Sequence, residues 1–584
     1  MRKLPFIRLA GLLLVLGHGP AMADDAPLRI EDLQRCGNLF TTDQLTFCLR
    51  SEGLGSGDVK LMLSGKPLQV TSQKNGLLRL TLSKTDHKSG PLLLEQGERR
   101  SNPVWLTLNG SHVLAAGPDE VAKNMDGLTT YLNLISLIIE EKYDGADESR
   151  RLAKKYGAEV VGVIAPLNTY QLRLPVKNLT ERDAMILRLG NEVSVDAVVV
   201  EESGAEEPVE QDHGKKPRNS EWVANRFLDA VDYYRHRMPS KKAPIKTHPV
   251  RIGIIERNVD FDSPEFADYI GDCDPQEPRT CVYARDAKSP AEHGTTVTGI
   301  LAARSTEPGD SGFLSALEPA SSGFEVIVER NSDAGITANV AASVNLVEDG
   351  VRVLNWSWGI HRVGTQDVEG EEIDSLIRSG VAMSGYEELL EEFFLWLRRE
   401  HPDVLVVNSA GNGSAHSGQD DYRLPSSFIT EQLLVVGGHQ RDDKRDVPVE
   451  HPEYVTKRPS SNIDMRVDIT ASACTRAATL EAGKRGDIHC GTSYATPMVT
   501  GVVGAMLSIN PQLAPEQVRE LLRRSALTIG RDKDFEPIEA DDLTAPILPS
   551  ERSYQLDNQD IGRSARLDMR KALELTVDSA KQTR

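Results

Sequence analysis

Cys490-Gly491-Thr492-Ser493-Tyr494-Ala495-Thr496-Pro497-Met498 is a turn of small residues running into an apolar stretch. Val499, Val502, Val503, Ala505 and Met506 continue that stretch, so the segment predicts a serine presented at the start of a buried helix. Pro497 is expected in the first turn of this helix, where a missing N–H costs nothing. Unpaired N–H groups at such a start can bind a developing oxyanion. Taken alone, a Gly-Thr-Ser turn serves equally well as a plain helix cap, and the decision falls to other segments.

His293-Gly294-Thr295-Thr296-Val297-Thr298-Gly299-Ile300-Leu301-Ala302 repeats the pattern, with a polar residue leading into an apolar helix. Histidine is the side chain able to take and return a proton near neutrality. Val404-Leu405-Val406-Val407-Asn408-Ser409-Ala410-Gly411-Asn412-Gly413 predicts a buried strand ending in a tight turn, with the Asn412 amide at its tip as a candidate oxyanion donor. A further buried strand, 351–354, runs into Asn355-Trp356-Ser357-Trp358-Gly359, whose backbone edge can pair with an extended peptide. Each segment also has a bland reading as strand, turn or cap.

Together, in this order, the four segments resemble the subtilisin-like serine proteases (subtilases), whose histidine, asparagine and serine motifs look like those around His293, Asn412 and Ser493. The resemblance covers roughly residues 222–580, and Ser564-Ala565-Arg566-Leu567-Asp568-Met569-Arg570-Lys571-Ala572-Leu573 is similar to the closing segment of that fold. It implies an α/β architecture with a mostly parallel sheet flanked by helices. The implied activity is that of a serine endopeptidase. The resemblance assigns His293 and Ser493 to catalysis, Asn412 to the oxyanion, and Ser357, Trp358 and Gly359 to the substrate backbone.

The acid of the triad departs from the family. Val250-Arg251-Ile252-Gly253-Ile254-Ile255 predicts the buried strand that should end in it, but Glu256-Arg257-Asn258-Val259-Asp260 follows where the family has Asp-Ser/Thr-Gly. A carboxylate there must accept the far imidazole N–H, and glutamate can do so if its extra methylene is absorbed. Glu256 is the expected triad acid by position, and Asp260 is the competing one.

Arg2, Lys3 and Arg8 precede or flank the apolar run 9–16, and Ala21-Met22-Ala23 offers a small-x-small cleavage site, so residues 1–23 are expected to be a secretory signal peptide. The apolar run is too short to span a bilayer, as is every later one, and a secreted or periplasmic protein is expected. Removing Arg2, Lys3 and Arg8 takes the formal net charge from −20 to −23. Such acidity argues against nucleic acid or an anionic membrane as partner. The six cysteines, Cys36, Cys48, Cys273, Cys281, Cys474 and Cys490, form an even set suited to an oxidising compartment. Sequence neighbours are the natural pairs, although about fifteen connectivities exist.

Ahead of the catalytic region the chain changes pattern twice. Residues 24–113 alternate apolar and polar in short runs such as Leu77-Leu78-Arg79-Leu80-Thr81-Leu82, which predicts a small β-sandwich. Residues 128–202 predict a β-α-β-β-α-β order, a ferredoxin-like module, with Thr180 and Asp183 as a capping box on its second helix. Ala153-Lys154-Lys155-Tyr156-Gly157-Ala158-Glu159-Val160-Val161-Gly162 and Asn168-Thr169-Tyr170-Gln171-Leu172-Arg173-Leu174 resemble the inhibitory propeptide of subtilases. That resemblance implies an intramolecular inhibitor that is cut away. Residues 203–220 form an exposed linker, with scission expected between about 200 and 221, and the catalytic domain occupies 221–580.

The implied partners are a polypeptide substrate and the chain's own propeptide. Calcium often accompanies the family, and Asp260, Asp262, Asp272 and Asp274 are candidate oxygen ligands, but no metal site is assigned. Two other functions fit the departures: a subtilase-like protein that binds peptides without cutting them, and an envelope adaptor working through residues 24–113.

Overall fold

The structure is a computed structural model. It describes residues 27–38, 43–55, 57–70, 72–74, 76–124, 127–203, 210–212, 223–236, 245–256, 258–273, 279–284, 290–304, 312–330, 335–361, 380–413, 423–441, 446–462, 467–476, 488–529 and 565–582. The expected signal peptide, most of the linker and Asp274 lie outside them.

Seven strands form a parallel sheet in the spatial order Thr280–Ala284, Phe324–Arg330, Val250–Glu256, Val353–Trp356, Leu405–Ser409, Leu433–Arg441 and Ile469–Ser472. Their sequences are near-continuous apolar runs, as parallel strands covered on both faces require. The chain starts this sheet in its middle. From Val250–Glu256 it moves to one side, then returns across it to Val353–Trp356 and continues the other way. Such a reversal opens a crevice at the carboxyl ends of the two strands, where ligands bind in open α/β sheets. Glu256 is the last residue of the first strand, and Ser357 follows the last residue of the second.

The helices Glu292–Ala302, Gly335–Glu348, Gly380–Glu400 and Thr492–Ile509 belong to this body. All eighteen residues of Thr492–Ile509 are buried, so this helix has no solvent face, and Val499, Val502, Val503 and Met506 join the main core. A helix that is apolar all round belongs inside a large domain.

Residues 134–199 form a four-stranded antiparallel sheet with two helices, Gly145–Tyr156 and Leu179–Leu189. The second helix is capped differently from the sequence expectation. Asn178 accepts the Glu181 N–H at 2.9 Å, and Glu181 accepts the Lys177 N–H at 2.8 Å, so the cap lies two residues before Thr180. Asparagine serves as well as threonine at this position, and its acidic partner three residues on secures the turn. The unit is joined to the helices Gly335–Glu348 and Gly380–Glu400 through Glu201 and Glu202. Glu201 accepts the Thr337 N–H at 2.9 Å and the Ile336 N–H at 3.2 Å, while the Glu202 N–H donates to the Tyr386 hydroxyl at 2.7 Å. Complete burial pushes the Glu201 carboxyl up despite these bonds.

The first β unit packs two antiparallel sheets over a shared core that includes Ile30, Leu49, Leu80 and Leu94. One of them does not stop at the unit's edge. Its strand Val104–Leu106 pairs in parallel with Thr280–Ala284 through Val104 and Ala284, so the large sheet runs on into the N-terminal unit. Trp105, 1% exposed, packs into the main core and donates its indole N–H to Asp349 at 2.8 Å.

Candidate active site

Glu256 is buried at the carboxyl end of its strand, and His293 is the second residue of Glu292–Ala302. The two meet, with His293 Nδ1 3.0 Å from Glu256 Oε2. An ionised carboxylate only accepts, so Nδ1 is the donor, and in the neutral imidazole that tautomer leaves the lone pair on Nε2. Glutamate's extra methylene is absorbed without loss of an ordinary hydrogen-bond distance. Asp260, the competing acid, uses its carboxyl Oδ1 to accept the Asp262 N–H at 3.0 Å, and burial pushes that carboxyl up.

Ser493 is the second residue of Thr492–Ile509 and is 4% exposed. The ring of the next residue, Tyr494, lies 5.4 Å from the His293 ring, centroid to centroid. Two elements two hundred positions apart in the chain are thus brought side by side. The Ser493 hydroxyl donates to the Ser357 carbonyl at 3.3 Å, and the Ser357 hydroxyl donates to the Ser493 carbonyl at 2.9 Å. Pro497 is not in the first turn as the sequence suggested, because the helix begins at Thr492. In an unbroken helix the N–H of residue 497 would serve the carbonyl of Ser493. Proline has none, and the Ser357 hydroxyl takes its place.

Asn412 closes the turn after Leu405–Ser409. Its Oδ1 accepts the Thr492 N–H at 2.9 Å and the Thr492 hydroxyl at 3.1 Å, which fixes the amide's orientation. Its Nδ2 is buried and has no hydrogen-bond partner among the described residues. An orphaned buried donor is costly, and here it stands at the serine turn, where a developing oxyanion would satisfy it.

Ser357-Trp358-Gly359 leaves the strand Val353–Trp356 and reaches Ile360–His361, which pairs with Arg423–Leu424. Asn408 Nδ2 donates to the carbonyls of Trp356 and Trp358, both at 2.8 Å, and stiffens the segment. The Trp358 side chain turns inward, its ring 4.9 Å from that of Trp356. Thr492, Tyr494 and Arg423 also belong to this neighbourhood and went unnamed as site residues in the sequence. Thr492 stood in plain view inside the serine motif, whereas Arg423 gives no local signal.

Disulfides join Cys36 to Cys48, Cys273 to Cys281 and Cys474 to Cys490. The last ties together the antiparallel strands Cys474–Arg476 and Ile488–Cys490, directly ahead of the serine turn. Of the candidate calcium ligands, Asp262 pairs with Arg29, and Asp260 is used as above. Among the described residues no group of three or more His, Cys, Asp or Glu side chains is placed to hold a metal ion. Nor, among them, is any helix long and apolar enough to cross a membrane.

A mostly parallel sheet flanked by helices, with Ser493 at one helix start and His293, paired with Glu256, at another, is the architecture of an α/β hydrolase. Residues 248–559, more than half of the chain, match the model of the subtilase family of peptidases, and the chain belongs to that family. An extracellular serine protease of Serratia marcescens is 24% identical over 320 residues, 48% of this chain and 30% of the relative. A probable subtilase-type serine protease of Deinococcus radiodurans is 24% identical over 239 residues, 40% of this chain and 28% of that one. The match thus spans less than a third of either curated relative. Among solved structures, fervidolysin from Fervidobacterium pennivorans is similar at 15% identity and a TM-score of 0.48, over 80% of this chain and 63% of that one.

Proposed function

We propose that the chain is an exported serine endopeptidase that hydrolyses peptide bonds through an acyl-enzyme and processes its own propeptide. An extended peptide lies along Ser357, Trp358 and Gly359 with its scissile carbonyl at Ser493. His293 Nε2 takes the hydroxyl proton as Ser493 Oγ attacks, and Glu256 stays ionised, holding the tautomer and stabilising the imidazolium. The carbonyl oxygen becomes an oxyanion between Asn412 Nδ2 and the Ser493 N–H. Collapse breaks the C–N bond as His293 returns the proton to the leaving amine, and water repeats the cycle on the ester.

The observation that carries this function is the 3.0 Å contact between His293 Nδ1 and the Glu256 carboxylate, with the ring of Tyr494, the residue after Ser493, 5.4 Å from the His293 ring. Self-processing is supported by the course of the chain. Glu201 and Glu202 are bonded to the catalytic body, and Glu210–Asp212 pairs antiparallel with Ile488–Cys490, which ends three residues before Ser493. Residues 128–202 act as the inhibitor, with scission in the 203–220 linker or at its edges. Export is supported by the basic and apolar residues of 1–23 and by three disulfides, which suit a secreted or periplasmic setting.

A fluorophosphonate probe tests the proposal on purified full-length protein. Covalent labelling is expected and should vanish in Ser493→Ala. Labelling that survives the substitution, or no labelling of the parent protein, ends the proposal.

A further inference from the structure

The helix Gly380–Glu400 lies against Val195–Val199, the last strand of the proposed inhibitor's sheet. Gly385 sets the approach, since a Cβ there would stand 2.7 Å from the Val198 carbonyl oxygen and 3.0 Å from Val199 Cα. Counting on from Gly385 in alternating helical steps gives Glu388, Glu392, Leu395 and Arg399, which therefore share the face turned toward the inhibitor.

What that face meets is more negative charge. Glu392 and Leu395 line an open cleft with Glu140, Glu141, Lys142 and Asp196 of the inhibitor. Asp144, which accepts the Asp147 N–H at 2.9 Å, and Tyr143 stand in the neighbouring cleft with Glu141, Glu392 and Arg399. Lys142 pairs with Glu140 at 3.5 Å, on its own side of the interface. Arg399 pairs with Glu141 at 3.0 Å and with Glu400 at 3.1 Å, and among the described residues it makes the one ion pair that crosses this face. No ion pair reaches Asp196, Glu388 or Glu392 among the described residues. Burial pushes all three carboxyls up, and neighbouring acids add to it: Glu140 acts on Asp196, Asp196 with Glu391 and Glu387 on Glu388, and Glu141 with Asp196 on Glu392, against the pull of Arg399.

We propose that this interface is held against the mutual repulsion of its carboxylates, so that the cut inhibitor leaves the helix as pH rises and stays on it in acid. This deepens the self-processing protease reading and rests on it. Carboxyls raised in the joined state hold protons that the separated surfaces release. Affinity is therefore complete below their ordinary pKa of about 4 and is lost as pH climbs through the raised values. Glu201, buried at the start of Gly335–Glu348, shifts in the same direction.

The test is the rate of Ser493-dependent fluorophosphonate labelling of the processed full-length protein, compared at each pH with Asp196→Asn/Glu392→Gln. Comparison at one pH cancels the titration of the active site itself. At pH 8 the parent should be labelled about fivefold faster than the double variant, whose amides no longer repel, and the ratio should fall toward one at about pH 5. Arg399→Gln loses the one attractive pair and should be labelled about twofold faster than the parent at pH 8. It decides the matter if the double variant does not fold. A parent-to-variant ratio that stays near one, or that does not change with pH, overturns the inference and spares the protease reading. So does an Arg399→Gln rate no higher than the parent's. Absence of Ser493-dependent labelling in the parent overturns both.

Discussion

Asn412 Oδ1 accepts both the N–H and the hydroxyl of Thr492, at 2.9 and 3.1 Å, so a residue one step before Ser493 aims the amide. The Nδ2 left over is the proposed oxyanion donor. Asn412→Ala should lower turnover on the order of 10²–10³, a magnitude that comes from a member of this same family, with KM changed little. Thr492→Val removes the hydroxyl but keeps the N–H, and a smaller loss in kcat is expected. Steady-state kinetics on one peptide, with Tm measured alongside, separates the two effects. A rise in KM with kcat preserved would move Asn412 from transition-state stabilisation to ground-state binding.

Glu256 carries an acid one methylene longer than the family's, and its strand and the histidine helix are spaced for it, since Oε2 meets Nδ1 at 3.0 Å. Glu256→Asp should therefore harm the enzyme. Shortening the acid withdraws the carboxylate by roughly 1 Å, a displacement that can cost on the order of a hundredfold in rate. Glu256→Gln keeps the length but loses the charge that fixes the tautomer, and turnover should fall by about 10⁴. An aspartate variant as fast as the parent, in kcat/KM at fixed pH, would show that another group orients the ring.

The candidate site was partly legible because the segments that form it carry their own punctuation. His293 and Asn412 stand beside glycine, Ser493 follows Gly491 by two residues, and all three border an apolar run, so a linear reading picks them out as candidates. What a linear reading cannot find is a partner supplied from elsewhere. Glu256 and Asp260 lie four residues apart, and only the sheet decides which reaches the ring. Pro497 was misplaced because the hydroxyl that makes it tolerable inside the helix belongs to Ser357, 136 residues away from the carbonyl it serves. Arg423 is defined by the glycines around it, Gly359 and Gly411, in two other segments. The continuity of the N-terminal unit with the main sheet turns on the pairing of Val104 with Ala284, which no periodicity announces.

His439 gives the fold an acid limit. It is fully buried in Leu433–Arg441, with Nδ1 3.1 Å from Thr470 Oγ1, and burial, aided by Arg566, holds its pKa well below the ordinary value of about 6.5. The unfolded chain takes up this proton below about pH 6.5 while the folded chain does not. Stability is therefore present above that pH and is lost as pH falls, by up to about 1.4 kcal/mol per unit. His439→Gln keeps a polar group but removes the titration. Urea midpoints from pH 8 to pH 5 should show the parent losing ground to the variant below about 6.5. A constant difference between the two across that range would mean the histidine titrates alike in both states.

Residues 27–113 precede the proposed inhibitor in sequence, so scission in the linker severs them from the catalytic body, yet their contacts with that body do not run through the cut. Val104 continues the main sheet through Ala284, and Trp105 and Asn109 donate to Asp349 at 2.8 and 2.7 Å. Asn345 and Ser111 exchange two further bonds, Ser111 N–H to Asn345 Oδ1 at 3.1 Å and Asn345 Nδ2 to the Ser111 carbonyl at 2.8 Å. Burying the Trp105 side chain contributes on the order of 1.5–3 kcal/mol, and the bonds from Trp105 and Asn109 to Asp349 add direction to the junction. The cut protein is therefore expected to keep its N-terminal β unit as a second, non-covalently bound chain. Size-exclusion chromatography of processed protein should give one peak that resolves into two polypeptides on a denaturing gel. Asp349→Ala should split that peak after processing, because Trp105 and Asn109 then lose their shared acceptor. Processed parent protein that elutes without residues 27–113 under native conditions would show that the sheet junction is too weak to hold.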